Sequence, residues 1–79
     1  MTWSKWAALN GAGAKAFGRN LAAAMDRAGV TPPMLARMTG TSRSTVYNWR
    51  SGTSMPSVQA LVAVCRALGC TPNDLTWGL

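Results

Sequence analysis

Four glycines, Gly29, Gly40, Gly52 and Gly69, each close an apolar stretch, and each is soon followed by a residue that can begin a helix: Thr31-Pro32, Thr41-Ser42, Pro56 and Thr71-Pro72. Glycine just past a helix end and Ser, Thr or Pro at a helix start are stop and start signals with a physical basis. A chain interrupted this often cannot sustain one long helix, and no segment alternates apolar and polar residues as a half-buried strand would. The punctuation predicts an all-α fold of five short helices.

The spacing of apolar residues fills in each segment. Phe17, Leu21, Ala24, Met25 and Ala28 follow one helical face, predicting a first helix over about Lys15 to Ala28. A second runs from Pro32 through Met34, Leu35, Ala36 and Met38. A third, capped by Thr41 or Ser42, reaches about Arg50 and turns Val46 and Trp49 inward. Pro56 is expected to open a fourth, with Val58, Leu61, Val62, Cys65 and Leu68 as its buried stripe. A short fifth passes through Asp74, Leu75 and Trp77. Residues 15–79 form the expected domain. Residues 1–14 are read as an extension in which Trp3, Trp6 and Leu9, three apart, predict one amphipathic turn before Gly11.

Composition removes several classes of function. The 79 residues suit one domain, since compact domains of about 60 residues can already fold alone. With no His, no Glu and only Asp26 and Asp74 as acids, the chain lacks the parts of paired-carboxylate and Ser-His catalysis. No catalytic residue is assigned and the chain is not expected to be an enzyme. Cys65 and Cys70 supply at most half of a structural zinc site, so no metal, cofactor or small-molecule ligand is expected. Both cysteines read as small apolar core residues, and a reducing cytoplasm disfavours a bridge between them. The most apolar stretch, Val58 to Cys70, is too short to cross a bilayer, and the N-terminal segment lacks a signal peptide's apolar core. The expected location is the cytoplasm of a bacterial cell. Eight basic residues give a net charge of +6, which suits a polyanionic partner.

The second and third helices, joined at Thr39 to Thr41, have the layout of a helix-turn-helix over residues 31–52. At about 100° per residue, Arg43, Ser44, Tyr47, Asn48 and Ser51 share an arc of roughly 140°, and Thr45, Val46 and Trp49 occupy a different one. A solvated helix face normally carries Glu and Lys. This one carries a guanidinium, an amide, a phenol and hydroxyls, groups that suit base edges and phosphates.

Residues 17–77 resemble the Cro and phage-repressor helix-turn-helix family, also called XRE-type. The resemblance rests on Phe17-Gly18-Arg19, Gly29-Val30-Thr31, Leu35-Ala36, the run Gly40 to Trp49, Ser51-Gly52, Pro56-Ser57 and Ala67-Leu68-Gly69, in that order and spacing. It implies a compact five-helix, lambda-repressor-like bundle whose third helix enters the major groove, usually as a dimer on a near-palindromic duplex operator.

Carried over by position, the resemblance assigns base reading to Arg43, Ser44 and Asn48, with Tyr47 beside them. Arg43 suits guanine O6 and N7, Asn48 suits adenine N6 and N7, and each such pair discriminates by about 1 to 3 kcal/mol. The turn Ser51, Gly52, Thr53 and Ser54 resembles the family's phosphate clamp, through hydroxyls and backbone N–H groups. Ser42 is read as a cap that also faces phosphate. Arg19, Arg37 and Lys15 are further cations for the DNA backbone. A homodimer contact is expected at Leu75, Trp77 and Leu79.

Two departures from the family pattern have consequences. Pro32 and Pro33 stand where the family commonly starts its second helix with Gln, which removes two N–H donors and predicts a weaker clamp there. Met25 and Arg50 occupy positions where the family often pairs Arg with Glu. The double change predicts apolar packing in place of a buried ion pair, with Arg50 released toward DNA or drawn to Asp26. The function these readings favour is a short phage Cro-type or immunity repressor. An antitoxin, a restriction-modification controller and a protein-binding adaptor remain alternatives.

Overall fold

The computed structural model describes residues 12–76, which form five helices: α1 (Ala12–Ala28), α2 (Pro32–Thr39), α3 (Arg43–Ser51), α4 (Val58–Leu68) and α5 (Pro72–Thr76). No strand occurs among the described residues. The expected turn at Trp3, Trp6 and Leu9 lies outside them, as do Trp77 and Leu79. No helix of the described residues is long and apolar enough to cross a membrane.

α1 supplies the central support. Its Phe17, Leu21, Ala24 and Met25 enter one core with Leu35 and Ala36 of α2, Val46 and Trp49 of α3, Leu61, Val64 and Cys65 of α4, and Leu75 of α5. Full burial of a large apolar side chain contributes about 1.5–3 kcal/mol, so this shared cluster, more than helix propensity, holds such short helices in place. α1 packs against α3, α4 and α5, while α2 bridges α3 and α4.

The helix starts differ from expectation at two places. α1 begins at Ala12, ahead of Lys15. Alanine is the best helix former, and Ala14 is itself buried, so the helix gains by extending. Pro56 does not open α4. It is buried just outside, and the Ser57 hydroxyl caps the helix by accepting from the Ala60 N–H at 3.1 Å. The buried stripe of α4 is also rotated toward Val64. Val64 is fully buried, Val58 is 40% exposed, and Val62 and Leu68 are half-buried. An apolar helix with Val at 58, 62 and 64 admits either setting, and packing against α1 and α2 selects one.

The C-terminal dimer contact requires correction at one residue. Leu75 is fully buried within its own domain, and its carbonyl accepts from the Asn20 side chain at 2.9 Å, tying α5 to α1. Its side chain belongs to the monomer core and is not available to a second copy. α5 itself starts with a capping box: the Asp74 carboxylate accepts from the Thr71 N–H at 2.9 Å, and the Asp74 N–H donates to the Thr71 hydroxyl at 3.4 Å. The Thr71 N–H, and after it the Thr71 hydroxyl donating to the same carboxylate at 3.2 Å, hold the Asp74 carboxyl below the usual carboxylate range.

Candidate nucleic-acid interface

The turn between α2 and α3 is fixed by local chemistry. The Thr31 hydroxyl caps α2 by accepting from the Met34 N–H at 3.4 Å, and Gly40 ends it in the left-handed region. The Thr41 N–H then returns to the Ala36 carbonyl at 2.9 Å, and the Thr39 and Thr41 hydroxyls pair at 2.9 Å. Ser42 starts α3 at once: its hydroxyl accepts from the Thr45 N–H at 3.1 Å and bonds the Thr45 hydroxyl at 2.8 Å. Ser42 is therefore engaged as a cap, and Thr45 is half-buried beside it. Only three residues, Gly40, Thr41 and Ser42, separate the two helices, so α2 dictates the direction in which α3 leaves.

α3 has the two faces that its sequence describes. Val46 and Trp49 are buried, 0% and 3% exposed, whereas Arg43, Ser44, Tyr47, Asn48 and Ser51 all stand outside. Tyr47 is 52% exposed, a large aromatic side chain standing in solvent. The four residues assigned to base reading thus share one solvent-facing strip on a helix whose other side is locked into the core.

The C-terminal end of α3 meets α1 backbone to backbone. Gly18 is buried at the crossing, where a Cβ would overlap the carbonyl oxygens of Arg50 and Trp49. Gly52 ends α3 with φ +80, and a Cβ there would lie 2.8 Å from the Lys15 Cα. Two side-chain-free positions therefore set the closest approach. In the sequence, Gly18 belongs to the Phe17-Gly18-Arg19 stretch of the family resemblance. A glycine in the interior of an otherwise Ala-rich helix costs about 1 kcal/mol, and that anomaly is the signal by which its packing role is legible.

The same crossing arranges the candidate phosphate contacts. Lys15 is exposed, with its stem against Gly52, so the structure brings it beside the Ser51 to Ser54 turn; Arg19, also exposed, lies one turn further along α1. Within the turn, the Thr53 and Ser54 N–H groups donate to the Asn48 carbonyl at 2.9 and 3.3 Å. The Ser51 hydroxyl also donates to that carbonyl at 3.2 Å and pairs with the Thr53 hydroxyl at 2.8 Å. The backbone donors expected to serve a phosphate are thus occupied inside the protein.

On the other side of the helix-turn-helix, Arg37 and Arg43 line one cleft of about 360 Å3 with Pro33 and Thr41. At the start of α2, Pro32 and Pro33 lack N–H groups, and the next one, on Met34, is turned to Thr31. Positive potential at this end comes from the two guanidinium groups, consistent with the loss of donors read from the sequence.

Met25 is buried in the core, as the replacement of an ion pair by apolar packing requires. Arg50 behaves differently from expectation. It is half-buried, and its Nε is enclosed without a hydrogen-bond partner. At about 100° per residue it falls roughly 20° from Arg43, on the side nearer Val46, which places it at the boundary between the wet and dry faces. Arg50 is therefore not a freely reaching surface arm.

Residues 20–76 match the model of the Cro/C1-type HTH DNA-binding domain. Among solved structures, the restriction-modification controller protein C.AhdI from Aeromonas hydrophila is similar, with a TM-score of 0.77 and 26% identity over 82% of this chain and 98% of that one. The clp gene regulator ClgR from C. glutamicum is also similar, with a TM-score of 0.73 and 29% identity over 78% of this chain and 80% of that one. Comparison with curated proteins finds no match.

Proposed function

Since the chain belongs to the Cro/C1-type helix-turn-helix DNA-binding domain family and is a DNA-binding transcriptional regulator, we propose that it represses transcription by occupying an operator in the manner of a short phage Cro-type repressor. The observation that carries this reading is α3: a polar outer strip of Arg43, Ser44, Tyr47 and Asn48 on a helix anchored by Val46 and Trp49. Arg43 and Asn48 read guanine and adenine edges. Ser44 and Tyr47 contact neighbouring base or sugar-phosphate groups. Lys15, Arg19 and Arg37, with the hydroxyl of Ser42 at the start of α3 and those of Ser51, Thr53 and Ser54 around Gly52 at its end, position the helix on the DNA backbone. Arg50 adds charge at the rim.

The regulator binds as a homodimer on a near-palindromic site, its two α3 helices about 34 Å apart in successive major grooves. Sedimentation velocity on a duplex carrying the selected site, with run-off transcription from an overlapping promoter, tests both parts. Two chains per duplex and a blocked transcript are expected. One chain on a single half-site, or an increased transcript, contradicts the reading.

A second reading is favoured by a specific likeness. C.AhdI, a restriction-modification controller, is matched over 98% of its own length. A methyltransferase gene beside the gene for this chain would favour a controller, and a divergent repressor or integrase gene would favour the phage regulator.

A further inference from the structure

The two cysteines occupy the positions at a helix end that the chain geometry forces together. Gly69 ends α4 in the left-handed region, and the Cys70 N–H donates to the Cys65 carbonyl at 3.0 Å. In this kind of helix end, the residue after the glycine and the residue five before it normally make an apolar contact. Here both partners of that contact are thiols. The 3.0 Å bond together with standard backbone lengths holds their Cα atoms within about 7 Å, against a usual disulfide range of about 4.4–6.8 Å. Cys65 is 6% exposed, and Cys70, half-buried, lines an open cleft of about 440 Å3 with Arg27, Leu68 and Asp74.

We propose that Cys65 and Cys70 form a reversible dithiol–disulfide site at the α4–α5 turn, oxidised by a small-molecule disulfide that enters the cleft beside Arg27. The inference does not depend on how the protein reads DNA.

The order of events follows from burial. Burial, then the neighbouring Cys70, pushes the Cys65 thiol up to about 12, so it stays protonated at neutral pH. Burial raises Cys70 too; the neighbouring Cys65 thiol lowers it, and Asp74 raises it by more than Arg27 lowers it, so Cys70 is also held above its ordinary value. Cys70, which lines the cleft while Cys65 is buried behind it, is the entry thiol. Its thiolate attacks the small disulfide, forming a mixed disulfide and expelling one small thiolate. Cys65 then attacks the Cys70 sulfur, its proton passing to the second small thiolate as that group leaves. Two S–H bonds are lost, one S–S bond forms in the protein, and the small disulfide takes up two electrons and two protons to become two thiols.

The test is equilibration of the full chain with reduced and oxidised glutathione across a series of ratios, in native buffer and in urea, followed by acid quenching and mass measurement. The expected result is an intramolecular disulfide whose equilibrium constant is at least about tenfold larger in native buffer than in urea, because the fold holds the thiols together. Cys65→Ala should trap glutathione on Cys70, and Cys70→Ser should leave Cys65 unmodified. Two free thiols at every ratio in native buffer would overturn the proposal. So would disulfide-linked dimers in place of the internal bridge, or a native constant no larger than that in urea. Should Cys65→Ala fail to fold, the wild-type comparison still decides.

Discussion

At its C-terminal end α3 lies backbone to backbone against α1, with Gly18 and Gly52 leaving no room for a side chain between them, whereas at its N-terminal end Arg43 and Ser44 stand in solvent behind one serine cap. One end determines where the helix sits. The other end is free to determine what it reads. The contrast also divides the cations: Arg50, at the held end, is partly enclosed, while Arg43, at the open end, is exposed. A surface that must meet DNA without rearranging benefits from this division, because recognition side chains held on a rigid element lose less freedom on binding. It also means that substitutions at the two ends should be separable into losses of stability and losses of recognition.

The sharpest way to break the comparison is at the seat of α3. Trp49→Ala should destabilise the domain by about 3–5 kcal/mol, a large share of what a domain this size possesses. Urea unfolding measures it, and a loss below about 1 kcal/mol would mean that Trp49 does not anchor the helix. Gly18→Ala comes next. In an open helix this change would stabilise by about 0.5–1 kcal/mol, so its sign is diagnostic. Overlap with the Arg50 and Trp49 carbonyls predicts instead a loss of about 1–3 kcal/mol, seen as a fall in melting temperature.

At the open end the expected pattern reverses. Arg43→Ala and Asn48→Ala should each cost about 1–3 kcal/mol of binding to the preferred site, with the melting temperature unchanged. Fluorescence anisotropy and thermal unfolding of the same samples separate the two effects. Ser42→Ala removes the N-cap of α3 and should cost about 1 kcal/mol of stability. The smallest effect lies far from α3. Asp74 has its carboxyl lowered in the fold, so its contribution is complete above its unfolded value of about 3.9 and disappears as pH falls through the lower folded value. Asp74→Asn should accordingly flatten the acid limb of the stability curve below about pH 4 and leave neutral pH unaffected by titration.

Much of this architecture is legible in the chain because local signals and the global fold agree. Thr31, Ser42, Gly40, Gly52 and Gly69 cap or end helices as their residue types require, and Val46 and Trp49 face inward as the helical period demands. What escaped the sequence depends on distant partners. Which apolar side of α4 is buried is decided by α1 and α2, since Val58, Val62 and Val64 are interchangeable to a periodicity argument. Leu75 looks like an interface residue until the depth of the core beneath α5 is known. The use of the Thr53 and Ser54 N–H groups on the Asn48 carbonyl follows from the path of the chain after Gly52. Gly18 shows a different limit: the residue type signals a close approach, but only the fold identifies the carbonyls it admits.

The division of α3 into a held end and a reading end is tested most directly by selecting from randomised duplex DNA, at two salt concentrations, with the wild type and with the Arg43→Ala, Asn48→Ala double variant. The account predicts that the wild type enriches a two-fold symmetric site containing G and A at both salts, and that the equally folded double variant loses that preference while retaining weak, steeply salt-dependent binding. Enrichment of the same site by the double variant, or no sequence preference in the wild type, would contradict it.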